Sequence, residues 1–214
     1  PQIVLGKEIS RYTNIEGVIG HSLGEISAAC VAGIMSIEDA IRLVYFRGKA
    51  MEESALSGKM ILLTAEEDQL HKIQEQFKVR ASVRNSANEI AVSDTIERVN
   101  EIQEHCIQEN IRFKILNNTF PFHSNLLKKS SESLSKCINF SFRKSIINFY
   151  SSSEKNINNN NNEFCSKYWS NQMLDPVDFY SGLKEVFKSS EIDEIIEIGT
   201  RTVSNNLIRE LTET

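Results

Sequence analysis

The chain has no surplus of positive charge, no long apolar run and no evident metal-binding cysteines. Lysine and arginine number 24 against 29 acidic residues, a net charge of −5, so no basic face stands ready to neutralise a phosphate backbone and nucleic acid is not expected as a partner. Any anionic ligand must be met by cations placed locally. No apolar stretch is long enough to cross a bilayer and no charged-then-apolar leader opens the sequence, which predicts no membrane partner and a cytoplasmic location. Cys30, Cys106, Cys137 and Cys165 fall in no C-x-x-C or Cys/His ligand spacing, so no zinc site is expected and reduced thiols fit best. Pro1 in place of an initiating Met reads as the mark of a piece of something longer. What is present is a chain of 214 residues with 40% hydrophobic content, enough to bury a sizeable core.

The most informative stretch is Val18-Ile19-Gly20-His21-Ser22-Leu23-Gly24-Glu25-Ile26-Ser27, a short apolar strand that runs through Gly-His-Ser-Leu-Gly into a helix. A strand-to-helix turn of this kind lifts a serine onto strained backbone, which makes Ser22 the candidate nucleophile. Gly20 and Gly24 are read as removing Cβ atoms where strand and helix nearly collide. The helix N-terminus offers amide N–H groups, that of Leu23 first, to a developing oxyanion.

Beyond the elbow, Ser36 caps a helix expected to reach about Leu56, with Ile37, Ala40, Ile41, Val44, Gly48 and Met51 as its core stripe and Arg42, Lys49 and Glu53 facing water. The period then changes: strand from Met60, helix to Phe77, strands over 79–85 and 89–93, a helix opened by Asp94-Thr95-Ile96-Glu97, and a strand over 111–116. That β-α-β-β-α-β order predicts a ferredoxin-like subdomain over 59–118, inserted into an α/β core formed by 1–58 and 119–214. In the second core part a helix is expected from Ser124 to about Cys137 and a strand near 146–151. Asn156 to Asn162 reads as a polar loop, Tyr168 and Trp169 as part of a short helix, Pro176 as the opening of another, and Asp193 to Gly199 as a final buried strand before a closing helix.

A serine nucleophile needs a base, and the candidates are His21, His71, His105 and His123. His71 and His105 fall on the helices of the inserted unit, and His21 precedes the nucleophile with its side chain expected to point away. His123 follows Phe120-Pro121-Phe122 at a strand-to-helix junction, where sites gather. Arg47 is odd in another way, because it lies beside the apolar stripe of its helix while the other basic residues take the wet face. Either it pairs with a core carboxylate, or its planar fork is kept for a substrate carboxylate.

With Gly20-His21-Ser22-Leu23-Gly24-Glu25, Leu43 to Met51 around Tyr45-Phe46-Arg47-Gly48, and Phe120-Pro121-Phe122-His123-Ser124 in view, the chain closely resembles the acyltransferase family. These are the malonyl-CoA:acyl-carrier-protein transacylases and the acyltransferase domains of type I polyketide and fatty acid synthases. Ser82 to Asn85 and Ala91-Val92-Ser93 resemble the family's Asn-Gly-Pro and Val-Ser-Gly hairpin, with Ser86-Ala87 in place of Gly-Pro. Tyr168-Trp169, Asp175-Pro176-Val177 and Ile196 to Gly199 resemble its C-terminal motifs.

The resemblance implies an α/β-hydrolase-like core with a parallel sheet and the inserted ferredoxin-like subdomain. It implies Ser22 as the acylated nucleophile, His123 as its base, and Arg47 as anchor of a malonyl carboxylate, with Leu23, Phe122 and His21 in contact with substrate. Phe122 matches a position where a bulky ring accompanies malonyl rather than methylmalonyl selection. The histidine would be oriented by a backbone carbonyl, for which the region of Val177 and Asp178 is the candidate. No cofactor or metal is implied; the substrate is a coenzyme A thioester such as malonyl-CoA, and the partners are the phosphopantetheine arm of an acyl carrier protein and neighbouring synthase domains. Two departures stand out. Members carry a further half-core with a Gly-Gln-Gly loop before the elbow, which nothing here matches, and Gly199-Thr200-Arg201-Thr202 replaces Gly-Pro-His-Pro. A serine hydrolase of esterase type, which predicts a buried Asp or Glu on His123, and an inactive scaffold piece of a synthase are the alternatives.

Overall fold

The computed structural model describes residues 1–118, 120–153, 164–189, 192–199, 207, 208 and 211. The asparagine tract and most of the expected closing helix lie outside the described residues. In chain order the elements are α1 (Gln2–Ile9), β1 (Gly17–Ile19), α2 (Gly24–Val31), α3 (Ile37–Ser54), β2 (Lys59–Thr64), α4 (Glu67–Phe77), β3 (Val83–Ser86), β4 (Glu89–Asp94), α5 (Ile96–Gln108), β5 (Arg112–Ile115), a 3₁₀ turn (Asn125–Leu127), α6 (Lys128–Cys137), β6 (Asn148–Tyr150), α7 (Ser166–Asn171), β7 (Val177–Asp178) and α8 (Phe179–Ser189).

Strands β1 and β6 pair in parallel, Val18 opposite Phe149, and carry the elbow at their end. Around them Ile26, Leu43, Leu127, Leu134, Trp169 and Met173 form one apolar core from α2, α3, α6, α7 and their flanks. Ser36 caps α3 by accepting the Asp39 N–H at 3.0 Å. The buried face of α3 is only in part the expected one. Ala40, Leu43, Arg47, Ala50 and Met51 are buried, whereas Ile37, Ile41, Val44 and Gly48 are exposed. Periodicity fixes an apolar face only to within a residue or so of rotation; packing by α2 and α6 keeps Ala40 and Met51 of the expected stripe and adds Leu43, Arg47 and Ala50.

Strands β2 to β5 form an antiparallel sheet in the order β5-β2-β4-β3, the ferredoxin-like arrangement. Its apolar side presents Ile61, Leu63, Ile90 and Val92 to Leu70 and Ile73 of α4 and to Val99 and Ile102 of α5. Each such side chain stabilises the unit by roughly 1.5–3 kcal/mol when fully buried. The sheet takes a fifth strand from the second core part: β7 joins β3 in parallel, Val83 opposite Val177 and Arg84 opposite Asp178.

Pro176 therefore leads into a short strand rather than opening a helix. Val177 N–H is already committed to the Ser82 carbonyl at 3.0 Å, and the Asp178 carboxylate accepts the Ser181 N–H at 2.9 Å, so α8 starts after Asp178. The final strand expected at Asp193 to Gly199 is also absent. Ile195 and Ile196 are 40% and 49% exposed, and among the described residues this segment enters no ladder. Apolar content makes a strand only where a neighbouring strand offers hydrogen bonds.

At the elbow only one glycine is sterically required. A Cβ on Gly20 would lie 2.3 Å from the Glu25 nitrogen, whereas one on Gly24 would meet nothing within 4 Å, so the expected collision at Gly24 does not exist. Gly20→Ala is predicted to destabilise the protein by roughly 3 kcal/mol through forced backbone movement. Gly24→Ala, on the first residue of α2, should be neutral or stabilising by up to about 1 kcal/mol. Urea unfolding midpoints of the two variants check the contrast.

Candidate active site

Ser22 sits where β1 hands over to α2, in the left-handed region at φ 50. For a residue other than glycine this costs roughly 1–3 kcal/mol. Gly24 N–H donates to the His21 carbonyl at 2.9 Å and Glu25 N–H to the Ser22 carbonyl at 3.0 Å, which closes the turn tightly. Leu23, the residue after the nucleophile, is 50% exposed. Its N–H makes no hydrogen bond among the described residues, as an oxyanion donor requires.

Ser22 Oγ lies 2.7 Å from His123 Nε2. On the far side of the ring, Nδ1 is 2.9 Å from the Asp175 backbone carbonyl, which can only accept. Nδ1 therefore carries the proton, and Nε2 is left with its lone pair toward the Ser22 hydroxyl. The orienting carbonyl belongs to Asp175 and not to Val177 or Asp178. Val177 N–H is committed to Ser82 and Asp178 N–H to Ser152, and the chain passes the histidine just before it pairs with β3.

His123 is 1% exposed and also left-handed, at φ 58. Its loop is tied from several directions. His123 N–H donates to the Met173 carbonyl at 3.0 Å, Ser124 Oγ to the Pro121 carbonyl at 2.7 Å, and Ser93 Oγ of β4 to the Phe122 carbonyl at 2.5 Å. Phe122 packs against both the main core and the seam between β3 and α8.

Arg47, 3% exposed, projects from the buried face of α3. Its Nη1 donates to Gln172 Oε1. The amide is fixed in that sense, because Gln172 Nε2 donates to the Ser22 carbonyl at 2.8 Å and to Glu25 Oε2 at 3.1 Å. Glu25 is 0% exposed and accepts further from Ser151 Oγ at 2.7 Å and Tyr168 OH at 2.6 Å. His21 does turn from the nucleophile: Nε2 donates to Asn85 Oδ1 at 2.9 Å, the amide being fixed by its donation to Glu89.

Burial sets the electrostatics. It holds the His123 pKa down to about 3, with the Arg47 charge as second cause. Burial also lowers Arg47, to about 10, against the pull of Glu25, so the guanidinium stays charged. Glu25 is raised by burial, opposed by its hydrogen bonds and by Arg47. The arrangement is a serine with a neutral base on a strained turn, beside a buried cation. It suits nucleophilic attack by the serine on the acyl carbon of a substrate bearing a negative group.

The family pattern described as the acyl transferase domain matches residues 13–212. The chain belongs to the acyl transferase domain family. It is 31% identical over 173 residues to a PKS-NRPS hybrid synthetase of Aspergillus niger, covering 78% of this chain and 9% of that one. It is 32% identical over 165 residues to an erythronolide synthase of Saccharopolyspora erythraea, covering 76% and 5%. The chain thus spans under a tenth of the length of these relatives. Among solved structures it is similar to the malonyl CoA-acyl carrier protein transacylase of Clostridium perfringens, with a TM-score of 0.84 and 25% identity over 98% of this chain and 68% of that one.

The acyl transferase domain brings Ser22, His123 and Arg47 together, with Leu23 and Phe122 flanking them. Among the described residues no cluster of His, Cys, Asp and Glu could hold a metal ion, and no helix is long and apolar enough to cross a membrane. A cavity of about 220 Å³ at the β3–β7 edge is lined by Arg80, Arg84 and Val177 among others, and touches none of Ser22, His123 and Arg47. Two site residues escaped sequence reasoning, Glu25 and Gln172. Glu25 had a signal: it is the only Asp, Glu, Lys or Arg between Glu16 and Glu38. Gln172 had none beyond following Tyr168-Trp169.

The depressed His123 pKa gives a stability test with a definite sign. An imidazole whose folded pKa lies below its ordinary 6.5 stabilises the fold fully above that value, and the contribution is lost as pH falls toward the folded one. The loss is about 1.4 kcal/mol per pH unit for one group. The stability advantage of the parent over His123→Gln should shrink between pH 7 and pH 5, read from urea unfolding at each pH.

Proposed function

We propose that this domain moves a malonyl-type acyl group from coenzyme A to the phosphopantetheine thiol of an acyl carrier protein through an acyl-Ser22 intermediate, in polyketide or fatty acid synthesis. The observation that carries the reading is the Ser22–His123 contact at 2.7 Å beside the buried Arg47 guanidinium. Ser22 Oγ attacks the thioester carbon as its proton passes to His123 Nε2. The Leu23 N–H faces the oxyanion, and the coenzyme A thiolate leaves with the proton from His123. The carrier thiol then attacks the acyl-serine by the reverse steps, giving ping-pong kinetics.

The site supports acyl transfer over an esterase-type triad because Nδ1 of His123 meets the Asp175 main-chain carbonyl, where that triad uses a carboxylate. The buried Arg47 guanidinium beside Ser22 supports a donor with a negative group. Its fork binds two carboxylate oxygens at once. The subdomain over 59–118 is proposed to form the far wall of the cleft, through His21 and Asn85, and to keep water from the acyl-serine. Neighbouring synthase domains and a carrier protein are the partners this reading implies.

Incubation with malonyl-CoA should place one malonyl group on the Ser22 peptide, and Ser22→Ala should abolish it. Label elsewhere, or no label on the parent, refutes the proposal, and an unlabelled parent favours a scaffold role. Arg47→Ala should lower kcat/KM for malonyl-CoA by roughly 2–5 kcal/mol, since the substrate charge is left buried and unpaired. Acetyl-CoA, with no carboxylate, should be spared, and Arg47→Lys should rescue malonyl only in part. Equal loss for both donors would make Arg47 purely structural. The Phe122 ring should disfavour methylmalonyl-CoA by about 1–3 kcal/mol, a methyl's worth of discrimination; Phe122→Ser should narrow that gap in kcat/KM.

A further inference from the structure

We infer that Glu25 is the counter-charge of Arg47, relayed through the Gln172 amide, and that it sets how strongly the site prefers acyl donors bearing a carboxylate over neutral ones. This rests on the reading of Arg47 as the carboxylate anchor. Three donors converge on the Glu25 carboxylate: Ser151 Oγ at 2.7 Å, Tyr168 OH at 2.6 Å and Gln172 Nε2 at 3.1 Å. Ser151 Oγ donates its proton to Glu25 while its oxygen accepts the Ser153 N–H and the Tyr168 hydroxyl, each at 3.1 Å. Short O–H···O contacts of this kind are those of a hydroxyl on an ionised oxygen. Glu25 also lies in the first turn of α2, where the aligned peptide dipoles favour an anion.

The orientation of Gln172 is over-determined by its neighbours. Arg47 can only donate and the Ser22 carbonyl can only accept, so the amide oxygen faces Arg47 and the nitrogen faces Ser22 and Glu25. The amide thereby carries the polarisation of the anion to the guanidinium while holding the two charges apart. A buried cation compensated in this indirect way is stable in the empty enzyme. It still has donors to give, since a guanidinium carries five and Gln172 takes one. A substrate carboxylate at Arg47 then works against the nearby Glu25 charge, and the size of that opposition tunes the preference.

Glu25→Gln keeps the shape and removes the charge; its oxygen can still accept from Gln172, while its nitrogen donates to the two hydroxyls, whose bonds reverse direction. It is expected to lower the thermal midpoint by roughly 5–10 °C, because Arg47 is left uncompensated. Its malonyl-to-acetyl ratio of kcat/KM should rise about ten-fold, through a lower malonyl KM. Tyr168→Phe, which weakens the same framework without removing a charge, should leave the donor ratio alone. A cycle of thermal midpoints over Glu25→Gln, Arg47→Gln and the double variant isolates the pairing: the double variant should be more stable than Glu25→Gln alone. If Glu25→Gln does not fold and the double variant does, the pairing is supported. Additive midpoints, a double variant that also fails to fold, or an unchanged donor ratio in Glu25→Gln each overturn the inference, while malonyl label on Ser22 of the parent shows that the broader reading stands without it. Absence of that label removes both.

Discussion

One side-chain amide holds three groups that must not move relative to one another. Gln172 bonds the carbonyl of Ser22, the guanidinium of Arg47 and the carboxylate of Glu25. Each of the three comes from a different element or turn, namely the elbow, α3 and the first turn of α2. None of them alone has a reason to be where it is. A charged arginine buried on the core face of α3 would be strongly destabilising without a partner, and a buried glutamate equally so. The amide makes both tolerable and, in the same act, ties them to the strained backbone of Ser22.

The same short segment continues the work along the chain. After Gln172, the Met173 carbonyl takes the His123 N–H and the Asp175 carbonyl orients the His123 ring. Leu174 offers its carbonyl to Arg80 next to the inserted unit, Val177 N–H donates to Ser82, and Asp178 N–H to Ser152. Residues 172–178 therefore lace Ser22, His123, the core and the inserted unit in a single pass. The two-residue strand β7 is the mechanical consequence. Its pairing with β3 fixes where the chain must be when it reaches the histidine, and the Ser93–Phe122 bond holds the other side of that loop.

Much of this was legible in the sequence, for identifiable reasons. Ser22 stood out because it sits in a Gly-His-Ser-Leu-Gly turn between an apolar strand and a helix, and the inserted unit because its periodicity switches cleanly between 2 and 3.6. His123 stood out by its place after Phe120-Pro121-Phe122 at a strand-to-helix junction, and its role as a base came from the family resemblance. The failures are equally physical. The core face of α3 was placed a residue out of phase because Ile and Val score as core wherever they fall, while the real contact selects Ala and admits an arginine. The orienting carbonyl of Asp175 could not be read, since a main-chain oxygen carries no side-chain signature. The strand expected at Asp193 to Gly199 was inferred from apolar content, which says nothing about whether a neighbouring ladder exists. Glu25 was visible as a lone charge in an uncharged stretch, but its partners lie far along the chain, where only the fold brings them close.

The electrostatics join these pieces into a single argument about selectivity. Arg47 is the second cause, after burial, of the low His123 pKa, so the charge that would anchor a carboxylate also weakens the base. A donor that brings a carboxylate to Arg47 cancels that field and lets the imidazolium form more readily as Ser22 loses its proton. A neutral donor leaves that second contribution in place. On the proposed reading, the carboxylate acts beyond binding, because its presence lowers the barrier of the acylation step itself. Preference in such a site appears in kcat as well as in KM, and it follows from one buried cation standing near one buried imidazole.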